Sequence, residues 1–215
     1  MTDQIRVAIA GYGNLGRGVE ASLAQNPDME LICVFSRRDS ANVTLLDQKV
    51  PVYAMVNVEQ YQDEVDVMIL CGGSKTDLPE QGPYLAQFFN TVDSFDTHEK
   101  VNEYFAALSG AAQKSGNIAL LAAGWDPGLA SLNRLFGETI LPEGKTDTGT
   151  QSKQTIECSS ALGSNPEFTA SVLVAYARAV YRLARSGEIG AKTVFDVAPG
   201  LLSPKSPSQL RKELF

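Results

Sequence analysis

One hexapeptide limits what this chain can become more than any other feature. Gly11-Tyr12-Gly13-Asn14-Leu15-Gly16 reads G-x-G-x-x-G, directly after the apolar run Ile5–Ala10 and directly before a stretch, 14–25, with helical apolar spacing. A glycine-rich turn alone says little. Between a buried strand and a helix it is what a dinucleotide-binding βαβ unit needs. Gly11 is expected to make the tight turn, Gly13 to let the main chain approach a pyrophosphate, and Gly16 to let the helix pack closely on the sheet. The helix N-terminus then offers unpaired N–H groups to phosphate anions. Tyr12, Asn14 and Leu15 complete the loop.

The end of the second apolar run, 30–35, selects the cofactor. A chain that binds NAD places Asp or Glu there, about 20 residues beyond the loop, for the ribose 2′-hydroxyl. Here the residues are Phe35-Ser36-Arg37-Arg38, with Asp39 one step later. A carboxylate would repel a 2′-phosphate, whereas a hydroxyl and two guanidinium groups bind one through charge-assisted, bidentate hydrogen bonds. NADP(H) is therefore the expected ligand. Two solvated surface arginines are the alternative.

Apolar runs and helical patterns alternate along the chain. Strands are expected at 5–10, 30–35, 50–55, 65–70, 91–95 and 117–122, and helices at 14–25, 84–90, 98–114 and 129–141. Thr97 is placed to cap the helix at 98 and Gly116 to end it. Six strands interleaved with helices imply an α/β fold, a doubly wound and mostly parallel Rossmann sheet with helices on both faces. The pattern assigns 1–142 to a dinucleotide-binding domain. At Pro142 it breaks: 143–154 is rich in Gly, Thr, Lys and Gln and reads as a linker. Beyond it come a short strand at 155–161, a long helix at 168–186 after Asn165-Pro166-Glu167, a strand at 193–197 and a short terminal helix. This segment, 155–215, is too small for its own core and is expected to pack back on the first domain.

Ligands of such sheets lie across the carboxyl ends of the strands. The fourth strand ends in Cys71-Gly72-Gly73-Ser74, where the glycines either admit a cofactor or simply make a turn. Asp93 and Asp96 follow the fifth strand, the latter within Ser94-Phe95-Asp96-Thr97-His98. Asp126 follows the sixth, within Ala123-Gly124-Trp125-Asp126-Pro127. Carboxylates at the nicotinamide end can bind an ammonium group or assist proton transfer. Aspartates just before helices also serve as caps, and both roles stay open. His98 is a candidate base or a surface residue, and Trp125 a nicotinamide wall or core.

Composition removes whole classes of function. A net charge of −7 repels nucleic acid and acidic membranes. One histidine and three cysteines, Cys33, Cys71 and Cys158, with no C-x-x-C pair, argue against a metal site. Free thiols and an N-terminus that leads straight into a strand are expectations of a cytoplasmic protein.

Taken in order, the segments VAIAGYGNLGRGVE, VFSRRD, DVMILCGGSKTDLPEQGPY, TVDSFDTH, AGWDPGLASLNRL, SNPEFTAS and VAPGLLSPKSP resemble the meso-diaminopimelate dehydrogenase family. The resemblance covers 1–142 and about 155–215. It implies NADP-dependent oxidative deamination of the D-centre of meso-2,6-diaminopimelate on a lysine and cell-wall route. The product, L-2-amino-6-oxopimelate, cyclises to tetrahydrodipicolinate. It also implies that Tyr12 to Leu15, Ser36 to Arg38, Cys71 to Ser74, Ser94 to Asp96 and Ala123 to Pro127 line the NADP site. Asp96 and Asp126 would face the reacting centre, and Asn165 would bind substrate. The chain departs from the family where a large central block, the substrate and dimerisation domain, should lie between the NRL and NPEF segments. Only 142–154 occupy that place, so the family's contacts to the distal part of the substrate have no counterpart. The resemblance thus implies a cofactor domain with little turnover and a lost or weakened dimer interface. A complete small NADP oxidoreductase and a non-catalytic NADP-binding module are the competing expectations.

Overall fold

The computed structural model describes residues 4–140, 157 and 159–215. In it the apolar runs become one parallel sheet of seven strands: β1 (Ile5–Ala10), β2 (Met29–Ser36), β3 (Val52–Ala54), β4 (Val67–Leu70), β5 (Thr91–Asp93), β6 (Ile118–Leu120) and β7 (Gly190–Lys192). Their order is β3-β2-β1-β4-β5-β6-β7. The winding reverses between β1 and β4, the position at which doubly wound sheets open a crevice for ligands. Both faces of the sheet are covered, which is why β1 and β4 are apolar at nearly every position rather than alternating.

Among the described residues six α-helices accompany the strands: α1 (Asn14–Leu23), α2 (Leu78–Leu85), α3 (Val101–Ser115), α4 (Leu129–Ile140), α5 (Asn165–Arg185) and α6 (Pro207–Leu214). Val7, Ile9, Ile69 and Val92 face α1 and α5 in one core. Ala8, Phe35, Met68 and Leu70 face α2 and α3 in the other. The α/β, doubly wound, helix-on-both-faces expectation thus holds.

Helix α5 is nucleated by its own sequence. Ser164 Oγ accepts the Glu167 N–H (3.4 Å), and Pro166 sits in the first turn, where a missing N–H costs nothing. Its buried face, including Ala170, Leu173, Val174 and Ala177, lies on α1 and the sheet. A methyl group at Gly18 would stand 3.0 Å from Ala170 Cβ, so glycine sets how close the two helices lie. Arg178, 2% exposed, donates to both carboxylate oxygens of Asp28 (2.6 and 2.8 Å), to Asn26 Oδ1 (2.7 Å) and to the Leu202 carbonyl (2.8 Å). That guanidinium ties α5 to the turn before β2 and to the C-terminal segment. The Asp28 carboxyl is held below its ordinary range chiefly by the Arg178 hydrogen bonds.

Three elements differ from expectation. The helix expected at 84–90 is α2, six residues earlier; Pro79 is favourable in its first turn, and 86–88 form a turn. The strand expected at 193–197 is β7, at Gly190–Lys192, while Val194–Asp196 is a 3₁₀ turn. Thr193 N–H donates to Asp196 Oδ2 (2.7 Å) and Phe195 N–H to Thr193 Oγ1 (3.3 Å), so local side-chain bonds win over the ladder. Of the strand expected at 155–161, residues 157 and 159–161 are not in a strand, and the rest lie outside the described residues, as do Cys158 and 143–154. No helix among the described residues is long and apolar enough to cross a membrane.

Candidate functional site

The loop from β1 to α1 has the shape that its glycines predict. Gly11 has φ +92°, which L side chains rarely adopt. A methyl at Gly16 would stand 2.4 Å from the Gly11 carbonyl oxygen and 3.5 Å from Ile9 Cγ2. Gly16 therefore serves the turn itself even more than helix-to-sheet packing. A methyl at Gly13 would meet nothing within 4 Å, so the loop's outer side is open. No side chain caps α1, and no acidic residue stands in its first turn. The N–H groups at this helix end are free for an anion.

Tyr12 turns inward. Its hydroxyl donates to the buried carboxylate of Glu20, which also accepts the Leu46 (3.1 Å) and Asp47 (2.8 Å) N–H groups. Burial and Glu20 push the Tyr12 phenol up to about 12. The Tyr12 carbonyl accepts from Arg38. Ser36 is buried and its Oγ accepts the Arg38 N–H (3.0 Å). Arg37, largely exposed, pairs with Asp77 Oδ1 at 2.8 Å. The Asp77 carboxyl also accepts the Gly73 N–H (2.8 Å), and that bond first, then Arg37, holds it below the usual carboxylate range.

Gly11, Tyr12, Gly13, Ser36, Arg37, Arg38, Cys71 and Gly72 line one cavity of about 270 Å³, together with Met55, Asp77 and Gln81. Its charge is two guanidinium groups against the single carboxylate of Asp77. Such a balance fits a 2′-phosphate, and the open Gly13 and uncapped helix fit a pyrophosphate.

A second cavity, about 330 Å³, lies beyond the N-terminus of α1. Asn14, Leu15, Ser94, Asp96, Gly124, Trp125, Asp126, Pro127 and Asn165 line it, with Pro166 and Thr169. The three residues expected at the reacting end, Asp96, Asp126 and Asn165, are thus brought together from three segments. The Asp96 N–H donates to Ser74 Oγ (2.9 Å), and Ser74 Oγ shares a further bond with Thr97 Oγ1 (3.0 Å). Thr97 does not cap the turn that follows it. Asp126 pairs with Arg134 of α4 through two bonds, 2.6 and 3.2 Å, and that guanidinium holds its carboxyl below the usual carboxylate range. Neither aspartate caps a helix through any bond among the described residues. Trp125 meets the Phe168 ring edge-on at 5.5 Å.

Several expected site residues stand behind the cavities instead of lining them. Phe95 (1% exposed) and Ala123 (0%) are buried beneath the second cavity, and their main chains carry the segments that form it. Ser74 and Gly73 bond to Asp96 and Asp77 from the side. Asp93, grouped by sequence with Asp96 and Asp126, is fully buried and bonded, with its carboxyl pushed up to about 6 by burial. His98 is exposed. Cys33 is buried and its thiol is pushed up to about 12; burial raises that of Cys71 as well.

Sequence reasoning missed Glu20, Asp77 and Arg134. Glu20 carries a signal, a carboxylate beside Val19 on the apolar side of α1. Asp77 and Arg134 carry none, because no local pattern places Arg37 beside Asp77 or Arg134 beside Asp126. Among the described residues no group of three or more His, Cys, Asp or Glu side chains gathers to hold a metal.

No family model matches the chain. It is 40% identical to meso-diaminopimelate D-dehydrogenase of Lysinibacillus sphaericus, over 323 aligned positions that span 98% of this chain and 99% of the relative. Since this chain has 215 residues, that alignment bridges a long stretch where it has no counterpart. A substituted variant of meso-dapdh from Clostridium tetani E88, solved with DAP, superposes with a TM-score of 0.89 at 35% identity, covering 99% of this chain and 100% of that one. An engineered D-amino acid dehydrogenase bound to NADP+ gives 0.88 at 29% identity, covering 98% and 99%.

Proposed function

Because the chain belongs to the meso-diaminopimelate D-dehydrogenase family, we propose that it is the NADP(H)-binding domain of such an enzyme, acting on the D-centre of meso-2,6-diaminopimelate. The observation that carries this reading is the juxtaposition of Asp96, Asp126 and Asn165 around one cavity, next to the uncapped N-terminus of α1. Bound NADP+ supplies the hydride acceptor for the carbon that bears the amine. The chain's own residues do the rest. Gly11 to Gly16 receive the pyrophosphate, while Ser36, Arg37 and Arg38 receive the 2′-phosphate. The fit is electrostatic: no carboxylate stands at the end of β2, and the nearby Asp77 is already neutralised by Arg37.

At the other end, the carboxylates of Asp96 and Asp126 attract the substrate ammonium and can take its proton, and the Asn165 amide bonds a polar group of the amino acid. Asp126 must first exchange Arg134 for the incoming ammonium. That exposed pair is worth little, so the exchange costs little. A long substrate with charges at both ends needs a second clamp, and 143–154 are too few to build one. The chain therefore binds cofactor far better than it catalyses. The same shortening leaves the surface on which family members dimerise lost or weakened, and the expected compartment is the cytoplasm.

A second reading, a non-catalytic NADP-binding module, draws support from the Asp126–Arg134 pair, in which one of the two carboxylates already has a cation as its partner. Titration with NADPH and NADH, beside an assay of NADPH formation from meso-diaminopimelate, separates the two. Detectable, saturable turnover supports the dehydrogenase domain. NADPH binding with no turnover at any substrate concentration favours the module, and failure to bind NADPH overturns both.

A further inference from the structure

Asp93 closes β5 as a carboxylate with no exposed surface, and its bonds lead in three directions. The Tyr104 hydroxyl of α3 donates to Oδ2 at 2.7 Å. The Phe95 N–H (2.9 Å) and the Ala122 N–H (3.4 Å) donate to Oδ1, and the Asp93 carbonyl accepts the Ala123 N–H (2.9 Å). Phe95 N–H belongs to the segment that presents Asp96. Ala122 and Ala123 begin the segment that presents Asp126. One residue thus joins the two chain segments whose carboxylates face the second cavity.

The surroundings show that this arrangement is built, not incidental. Ala122 has φ +59°, the one non-glycine with positive φ among the described residues, so the main chain takes a rarely used conformation between its two bonds to Asp93, the Ala122 N–H to Oδ1 and the Ala123 N–H to the carbonyl. Tyr104 reaches Asp93 past Gly82, where a methyl would stand 2.0 Å from the phenolic oxygen. Its ring stacks on Phe95 at 4.1 Å between centroids and 18° between planes. An unpaired buried carboxylate or N–H is costly, so the group holds all its donors or the site loosens.

We propose that Asp93, braced by Tyr104, is a positioning residue: its carboxyl group fixes the spacing between the segments that carry Asp96 and Asp126. What that spacing is for rests on the dehydrogenase reading. The brace itself does not, since every one of its bonds joins residues of the chain.

The test uses three variants of the whole chain, D93L, D93N and Y104F. Leucine has a similar shape and strands the Phe95 and Ala122 N–H groups. Asparagine keeps an oxygen for both. Phenylalanine keeps the ring stack and removes one donor. Hydrogen exchange is measured by segment, together with the emission of Trp125, the single tryptophan. D93L should raise exchange at 94–98 and 122–127 about tenfold or more, with β1 and β4 unchanged, and should expose Trp125 to quencher. D93N should return both readouts close to the unmodified chain. With NADPH bound, D93L should weaken energy transfer from Trp125 to the nicotinamide while affinity, set by the phosphate contacts, barely changes.

A uniform rise across the sheet, or D93N as loose as D93L, would overturn the proposal. If D93L does not fold, Y104F decides: exchange must rise about twofold or more in those two segments alone, and no local rise overturns it. Failure of the unmodified chain to bind NADPH overturns the dehydrogenase reading and with it the catalytic meaning of the spacing, whatever the exchange shows.

Discussion

At the end of β2 two arginines are held by different means, Arg37 by Asp77 and Arg38 by the Tyr12 carbonyl. Arg38 is already placed before a phosphate arrives, so little of its side-chain entropy remains to be lost on binding. NADPH should therefore bind at least about tenfold more tightly than NADH, or about 1.4 kcal/mol. Replacing both arginines by alanine should erase most of that gap, and equal affinities in the unmodified chain would refute the assignment. Asp93 makes a prediction of opposite flavour. Burial lifts its folded-state pKa to about 6, above its unfolded value of about 3.9. Between those values the folded chain binds the extra proton. Stability from this group is therefore present at low pH and lost as pH rises through about 6, by about 2–3 kcal/mol in total. Chemical denaturation of the unmodified chain and D93N between those pH values should show the difference. If the two chains change in parallel, Asp93 titrates normally. The Ser36-Arg37-Arg38 cluster was readable from sequence because a strand end fixes where side chains point. The role of Asp93 was not, because its partners Tyr104 and Ala122 are brought in by other strands and helices.

Helices and strands were legible where their own sequence holds them. The run Ile5–Ala10 and the glycine loop are local signals, as is Gly116, whose φ of +72° ends α3. β7 escaped because it opens on Gly190, at φ +85°, and is stabilised by pairing with β6 rather than by its three residues. α5 draws its position from a group that no periodicity reveals. Arg178 is buried with Asp28, Asn26 and the Leu202 carbonyl. Removing the guanidinium leaves a carboxylate and a carbonyl without their partner. Arg178→Met should cost about 3–5 kcal/mol in denaturant unfolding, and a loss below 1 kcal/mol would mean that water replaces the guanidinium. The sign with pH follows from the depressed Asp28 pKa: the pair's contribution is present above the unfolded carboxylate pKa and disappears as acid protonates Asp28.

For the molecule as a whole, the fold and the cofactor were written in the order of short motifs, while the extent of activity depends on what is not between them. Orientation of substrate against cofactor accounts for about 7–11 kcal/mol of a barrier in well-organised sites. On the proposed dehydrogenase reading, Asp96, Asp126 and Asn165 would hold one end of a long amino acid only. NADPH formation should be slower by several orders of magnitude than that of a full-length relative, measured at saturating NADP and high substrate. A rate within about tenfold would mean that the residues between α4 and α5 build a working pocket.

The place of β7 has a consequence for how the polypeptide is held together. Its backbone is paired to β6, and α5, just before it, buries the face of α1 around Gly18 and clamps Asp28 through Arg178. Covalent continuity between α4 and α5 is thus not what keeps the two ends of the chain associated. A specific protease site placed within 143–154 should yield a nicked protein that still elutes as one particle and still binds NADPH. Two fragments, 1–142 and 155–215, produced together should find each other and complement. Separation of the pieces under native conditions would show that the joining segment contributes more than a tether. Reassembly would make this sheet a two-part sensor, in which regained NADPH fluorescence reports the meeting of its halves.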